Sequence, residues 1–127
     1  MIDLSHFTVF DFSEGAPYMS ITSNGLTFNK SVIMKLDYPE YVRLLIEPES
    51  KRLVIQCCNK NDDKAAQFYR PKSNGVLSVR WNTKDLVSTI SRLGEWDLKK
   101  NSYRVDGFIL PEQSAMLFDL NNATVQV

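Results

Sequence analysis

Apolar and polar residues change period several times along this chain, and the changes mark out its elements. His6–Phe12 reads H-F-T-V-F-D-F, with apolar residues on both faces of an extended segment, so the pattern predicts a strand covered on both sides. Glu14-Gly15-Ala16-Pro17 predicts a turn and Tyr18–Thr22 a second strand. Ser23-Asn24-Gly25 signals a tight turn, after which Leu26-Thr27-Phe28 returns to extended backbone. Val32, Ile33 and Leu36 recur at helical spacing, which predicts a helix over 30–36 with Asn29 as its cap. Asp37-Tyr38-Pro39-Glu40 ends it, because the residue before a proline avoids the helical region.

Y-V-R-L-L-I-E (41–47) and R-L-V-I-Q-C (52–57) predict a hairpin around Pro48-Glu49-Ser50-Lys51. Residues 59–74 are polar and read as one long irregular segment. Gly75 opens a strand expected over 76–81. Asn82 or Thr83 then caps a helix over 84–93, whose stripe is Leu86, Val87, Ile90 and Leu93, with Gly94 as its C-cap. Strands over 103–110, 115–120 and 123–127 complete the chain, the last two joined by Asn121-Asn122.

Two stretches repeat. Leu26-Thr-Phe-Asn29 aligns with Val79-Arg-Trp-Asn82, and Leu36 with Leu93 at the helix ends. Tyr41 through Pro48-Glu49 aligns with Tyr103 through Pro111-Glu112, and Leu53-Val-Ile-Gln56 with Met116-Leu-Phe-Asp119. Each half reads strand, capped helix, strand, Pro-Glu turn, strand, and such self-similarity implies an internal two-fold. The expected fold is mostly β with two short α-helices, as tandem halves forming a pseudo-two-fold small β-barrel or sandwich. The halves are 18–58 and 75–127, joined by a polar linker at 59–74 within one domain. The same order of elements also permits an unrelated α+β sheet with both helices on one face.

Residues 20–36 (S-I-T-S-N-G-L-T-F-N-K-S-V-I-M-K-L) and the hairpin that follows resemble the AbrB/MazE swapped-hairpin family; a second copy falls in 76–120. Domains of that family run strand, Gly turn, strand, short helix, then two strands, and two copies interlock into a small barrel. The resemblance implies a DNA-binding transcription regulator or antitoxin. Leu26 stands where the family usually has a basic residue, and Lys35 alone matches the basic pair near the end of its helix.

Charge changes the picture next. Fifteen basic and fifteen acidic residues cancel overall, but 59–104 holds ten basic against five acidic groups, and 1–22 and 105–127 are each net −3. A basic middle between acidic ends is the minimum footprint for a nucleic-acid partner. The candidate contacts are Lys30, Lys35, Lys60, Lys64, Arg70, Lys72, Arg80 and Lys84, with Lys99, Lys100 and Arg104 following the second helix. Arg80 and Lys84 stand out because a strand end and a first helical turn hold them on rigid elements. Tyr69 and Trp81 interleave aromatics, and the match of Trp81 to Phe28 points it inward.

Little else carries chemistry. His6 has no neighbouring carboxylate or cysteine, Asp62-Asp63 lacks the spacing of a calcium loop, and no phosphate loop or nucleophile elbow is found. The only cysteines, Cys57 and Cys58, are vicinal on a strand and read as reduced thiols, one packed and one more exposed. The sequence therefore points away from an enzyme, a metal or a cofactor. It shows no secretory pattern and no apolar run of about 20 residues, so a cytoplasmic protein without membrane contact is expected. The partners it suggests are double-stranded DNA, or else another protein or a homodimer, with a non-catalytic interaction module as the alternative function.

Overall fold

The computed structural model describes residues 1–9, 15–71, 75 and 77–126. The first hairpin pairs β1 (Tyr18–Thr22) with β2 (Gly25–Phe28) around Ser23-Asn24. Gly25 is required at this corner. Its φ is +146°, and a Cβ there would lie 2.7 Å from the Trp81 carbonyl oxygen. Asn29 then starts α1 (Lys30–Lys35): its side chain accepts from the Val32 and Tyr18 amides at 3.3 and 3.0 Å and donates to the Ala16 carbonyl at 2.8 Å. One asparagine thus caps the helix and pins the chain entering β1.

β3 (Tyr41–Glu47) and β4 (Arg52–Cys58) form the expected hairpin in full register, from Tyr41 opposite Cys58 to Glu47 opposite Arg52. A two-residue strand, β5 (Ala66–Gln67), pairs with the start of β3. β6 (Val79–Trp81) leads through Thr83 into α2 (Lys84–Gly94), and β7 (Ser102–Leu110), β8 (Ala115–Asp119) and β9 (Thr124–Gln126) follow. Short 3₁₀ turns at Pro111–Gln113 and Leu120–Asn122 flank β8.

The strands form a curled antiparallel sheet in the order β5-β3-β4-β8-β7-β1-β2-β6, with β9 beside the start of β7. Its two ends approach each other where the Trp81 indole donates to the Gln67 carbonyl at 3.0 Å and stacks edge-on against Phe68. The curl encloses the core. Phe28 of β2 touches Phe68, Trp81 and, across the interior, Phe118 of β8, with ring centroids 5.3, 5.1 and 5.8 Å apart. Met19, Ile21, Leu26, Val42, Ile55 and Met116 fill the space around them and are shielded from solvent.

The pairing register is symmetric in a specific way. Val54 is offset from Leu117 by 63 residues; this offset carries the Leu44–Ile55 pair of the first hairpin onto the Gly107–Phe118 pair of the second. β4 and β8 pair with each other about Val54 opposite Leu117. β2 and β6, offset by 53 residues, pair about Thr27 opposite Arg80. Two of the aligned strand pairs, β4 with β8 and β2 with β6, therefore lie side by side, at two junctions on opposite sides of the curl, whereas the aligned β3 and β7 do not pair. β1 lies beside β7, and β5 takes the corresponding place beside β3.

Several expectations are corrected. Residues 6–9 of the first expected strand form no strand; Phe7 and Val9 are 69% and 97% exposed, and the rest of that segment lies outside the described residues. Alternating apolar residues specify a strand only if a neighbour covers them, and these lack one within the described chain. The segment 59–74 is not wholly irregular, since Tyr41 and Val42 recruit Ala66 and Gln67 into the sheet. The strand expected over 76–81 begins at Val79, with Val76 outside the described residues. Gly94 is the last helical residue; Glu95 takes the left-handed position at φ 58°, and Gly94 instead makes room for the Trp96 ring, 2.5 Å from where its Cβ would be. Leu120, expected in the strand, belongs to a 3₁₀ turn, and β9 is shorter than expected and pairs with β7.

Candidate nucleic-acid interface

The β2–β6 junction gathers cationic residues on rigid backbone. Arg80 is exposed at the centre of β6, opposite Thr27, and its Nη2 donates to the Asn24 carbonyl at 3.3 Å, steadying the guanidinium over the β1–β2 turn. The two strands run antiparallel, so the helices that follow them leave from opposite ends. Lys30, the first residue of α1, and Lys84, the first of α2, are both exposed at these ends. Beside α2 lies a concavity of about 510 Å³ that Lys84 shares with Lys99, Ser88, Val87, Trp96 and Leu98. Asp85 is the acidic residue in the first turn of α2.

The remaining candidates are spread more widely. Arg70 lines a second concavity with Arg80, Phe68 and Trp81. Lys60 and Lys64 are exposed in the loop after β4; Asp62 accepts there from the Asn59 amide at 2.8 Å, and Lys64 adopts φ 58°. Lys35 sits in the last turn of α1, beside a separate concavity lined by Cys57 and Cys58. Lys72 lies outside the described residues. The structure thus sets Arg80 in one concavity with Arg70 and Lys84 in another, and places Lys35, Lys60 and Lys64 on other elements.

Lys99, which the sequence set among the cations following the second helix, is the one that the structure brings into the same concavity as Lys84. It reaches Lys84 because the chain reverses at Glu95, where Ser91 Oγ donates to the Trp96 carbonyl at 2.8 Å and Trp96 stacks on Tyr103 with centroids 4.4 Å apart. The glycine at 94 was a signal for that reversal, though not for its direction.

Aromatic residues line both concavities, Trp96 with Lys84 and Lys99, and Phe68 and Trp81 with Arg70 and Arg80. Trp81 packs inward, as its match to Phe28 implied, and Tyr69 meets Tyr38 edge-on. Arg104 lies 3.8 Å over the Tyr18 ring and pairs with Asp106 at 3.1 Å, so it is engaged locally. Cys57 and Cys58 are free thiols; loss of hydration is the main cause that raises the pKa of each, and Cys57 Sγ donates to the Leu36 carbonyl at 3.6 Å. Among the described residues, no three His, Cys, Asp or Glu side chains gather in a metal-binding group. No helix there is long and apolar enough to cross a membrane.

Comparison with protein-family models, with curated proteins and with solved structures finds no match to this chain.

Proposed function

We propose that this protein is a non-catalytic, DNA-binding regulator-like module of the AbrB-like swapped-hairpin type, with both halves in one chain. Two features support the architecture. The aligned strands β2 and β6, and β4 and β8, pair with each other, and the first-half hairpin strand β1 docks beside β7 of the second half. This is the interlocking that two separate copies achieve in that family.

The observation that carries the functional reading is the β2–β6 ribbon. It holds Arg80 at its centre and releases Lys30 and Lys84 from its two ends, a span on the order of 20 Å at about 3.3 Å per residue. Duplex DNA presents one phosphate charge per roughly 1.7 Å of axis, so a ribbon this long meets several. Cations on strand and helix ends lose less ordering entropy per contact than cations on a loop. Sequence would then be read weakly, through backbone position more than base edges.

Fluorescence anisotropy with a mixed-sequence duplex at low and moderate salt tests this. Arg80→Ala and Lys84→Ala are expected to weaken binding more than Lys64→Ala, and each lost phosphate contact to lower the salt slope by about one unit. Absence of binding by the wild type at low salt overturns the reading. A protein-interaction module is the second reading, favoured by an exposed apolar row on the far side of the sheet, and it predicts that null titration.

A further inference from the structure

The concavity beside α2 has an apolar floor under a cationic rim. Val87, Ser88 and Ser91 lie three, four and seven residues on from Lys84, so the four share one side of the helix. The chain that reverses at Glu95 supplies the facing wall. Val87, Trp96 and Leu98 are half-buried and pack against the core, and their remaining surface lines the hollow.

That facing wall is held in place by its own bonds. The Trp96 amide donates to the Ser91 carbonyl at 2.9 Å, and Ser91 Oγ donates back to the Trp96 carbonyl at 2.8 Å. The Trp96 ring is stacked on Tyr103 and seated against Gly94. Beyond it the Asp97 carboxylate accepts from the Lys99 amide at 3.0 Å, and the Asp97 carbonyl accepts from the Lys100 amide at 3.1 Å. The result is a preformed hollow of about 510 Å³, within the roughly 300–1,000 Å³ of small-molecule sites.

Charge narrows the class of ligand. Lys84 and Lys99 stand exposed on the two walls, and neither forms an ion pair among the described residues. Nearby acids are engaged elsewhere. Glu95 pairs with Lys51, and Asp97, the acid in the lining, has its carboxylate bonded to backbone. Asp85 is set about 100° round the helix from Lys84 and does not line the hollow. Thr83 leaves the first turn of α2 without a side-chain cap, which adds to the preference for negative charge. Lysines are point charges and accept a carboxylate or a phosphate alike. A tryptophan ring in the floor suits a flat apolar body, which a duplex backbone does not carry.

We propose that the concavity between α2 and residues 96–99 binds a small aromatic anion, a carboxylate or phosphate ester on a flat ring system. The ring covers Val87, Trp96 and Leu98, and the charge lies between Lys84 and Lys99. This goes beyond the DNA reading and does not rest on it, since Arg80 plays no part.

Proton–nitrogen correlation spectra of the full chain, titrated without DNA with naphthyl phosphate and separately with indole acetate, test it. At least one is expected to give shifts that saturate near about 1 mM, as ligands of this size do at ordinary efficiency. The shifts should fall on the Trp96 indole and the Ser88 and Lys99 amides and spare the Trp81 indole, which is bonded to Gln67. The tighter ligand names the anion. Naphthol and inorganic phosphate each carry half of the recognition and should bind about tenfold more weakly or worse. Lys99→Ala should weaken binding about threefold. Ser88→Glu, at an exposed position, should weaken it about tenfold or more with an unchanged thermal midpoint. Absence of saturable shifts with both anions overturns the proposal. So does naphthol binding as tightly as its phosphate, shifts centred away from α2 and residues 96–99, or binding that Ser88→Glu leaves unchanged. The duplex titration stands or falls separately, because it is read through Arg80.

Discussion

The β2–β6 and β4–β8 junctions are built alike and finished differently. Both join a repeated strand to its own counterpart in antiparallel register, one about Thr27 and Arg80 and the other about Val54 and Leu117. The first is a ribbon of three pairs with Arg80 on its outer surface; the second spans five pairs and sets Val54 and Leu117 between the Arg52–Asp119 and Gln56–Ala115 pairs. Short pairing backed by helix starts leaves room for charged side chains, whereas longer pairing across four strands brings Leu45, Val54, Leu117 and Phe108 into one row.

Four measurements test how far that likeness goes. The largest effect is expected from Phe28→Ala, since this ring meets Phe68 and Trp81 near the first junction and Phe118 behind the second. A loss of about 3–5 kcal/mol in urea unfolding is expected. Hydrogen exchange should report weakened protection at both junctions; protection lost at β2–β6 alone means that the two sides are energetically separate.

The glycines give the next contrast. Gly25→Ala places a Cβ against the backbone of Trp81 at an unfavourable φ, and an expected cost of about 2–3 kcal/mol follows. Gly107→Ala meets chiefly the Met116 thioether, 2.6 Å away, which can rotate aside, so about 1 kcal/mol is expected. Equal costs would show that Met116 is as fixed as main chain.

A smaller difference separates the helix starts. Asn29→Ala removes three hydrogen bonds and should cost about 1–2 kcal/mol, whereas Thr83 makes no side-chain capping bond and Thr83→Ala should change stability by less than about 0.5 kcal/mol. Thermal melts of the two variants distinguish them.

The smallest effect concerns pH. Ser50, then Arg52, holds the Glu47 carboxyl below its ordinary range beside the apolar row. A carboxyl with a lowered folded pKa stabilises the protein above its unfolded value, near about 4.3, and that contribution disappears as pH falls through the folded value. Urea midpoints measured from pH 6 to pH 3 should therefore fall slightly more for wild type than for Glu47→Gln. Parallel curves would mean that this exposed pair contributes nothing measurable.

Much of the local structure was legible because its causes are local. Asn29 is a capping residue followed by apolar residues at helical spacing, and the β3–β4 hairpin follows from β-rich segments around a Pro-Glu turn. The pairing of the aligned segments was not legible: the alignment sets Leu26 beside Val79 and Phe28 beside Trp81, whereas the antiparallel ladder pairs Leu26 with Trp81 and Phe28 with Val79 and keeps only Thr27 opposite Arg80. Alternation failed at Phe7 and Val9 because it records a need for cover and not where cover is. β5 escaped notice because Ala66 and Gln67 contribute backbone hydrogen bonds to the sheet and almost no apolar pattern. For the candidate interface, residue type marked Arg80 and Lys84, but the approach of Lys99 depends on a reversal at Glu95 that composition does not encode.

β1 finds its outer neighbour late. Tyr18 pairs with Asp106, 88 residues further along the chain, and Arg52 with Asp119. On a ribosome adding about 5–20 residues per second, the first hairpin waits several seconds or more for β7 to be made. Through that interval Met19, Ile21 and Leu26 have no completed core to enter. Closing such distant pairs is also slow once the chain is free. Expression at lower temperature or with chaperones should thus raise the soluble yield more than any surface substitution, because the exposed period belongs to the order of synthesis and not to the finished fold.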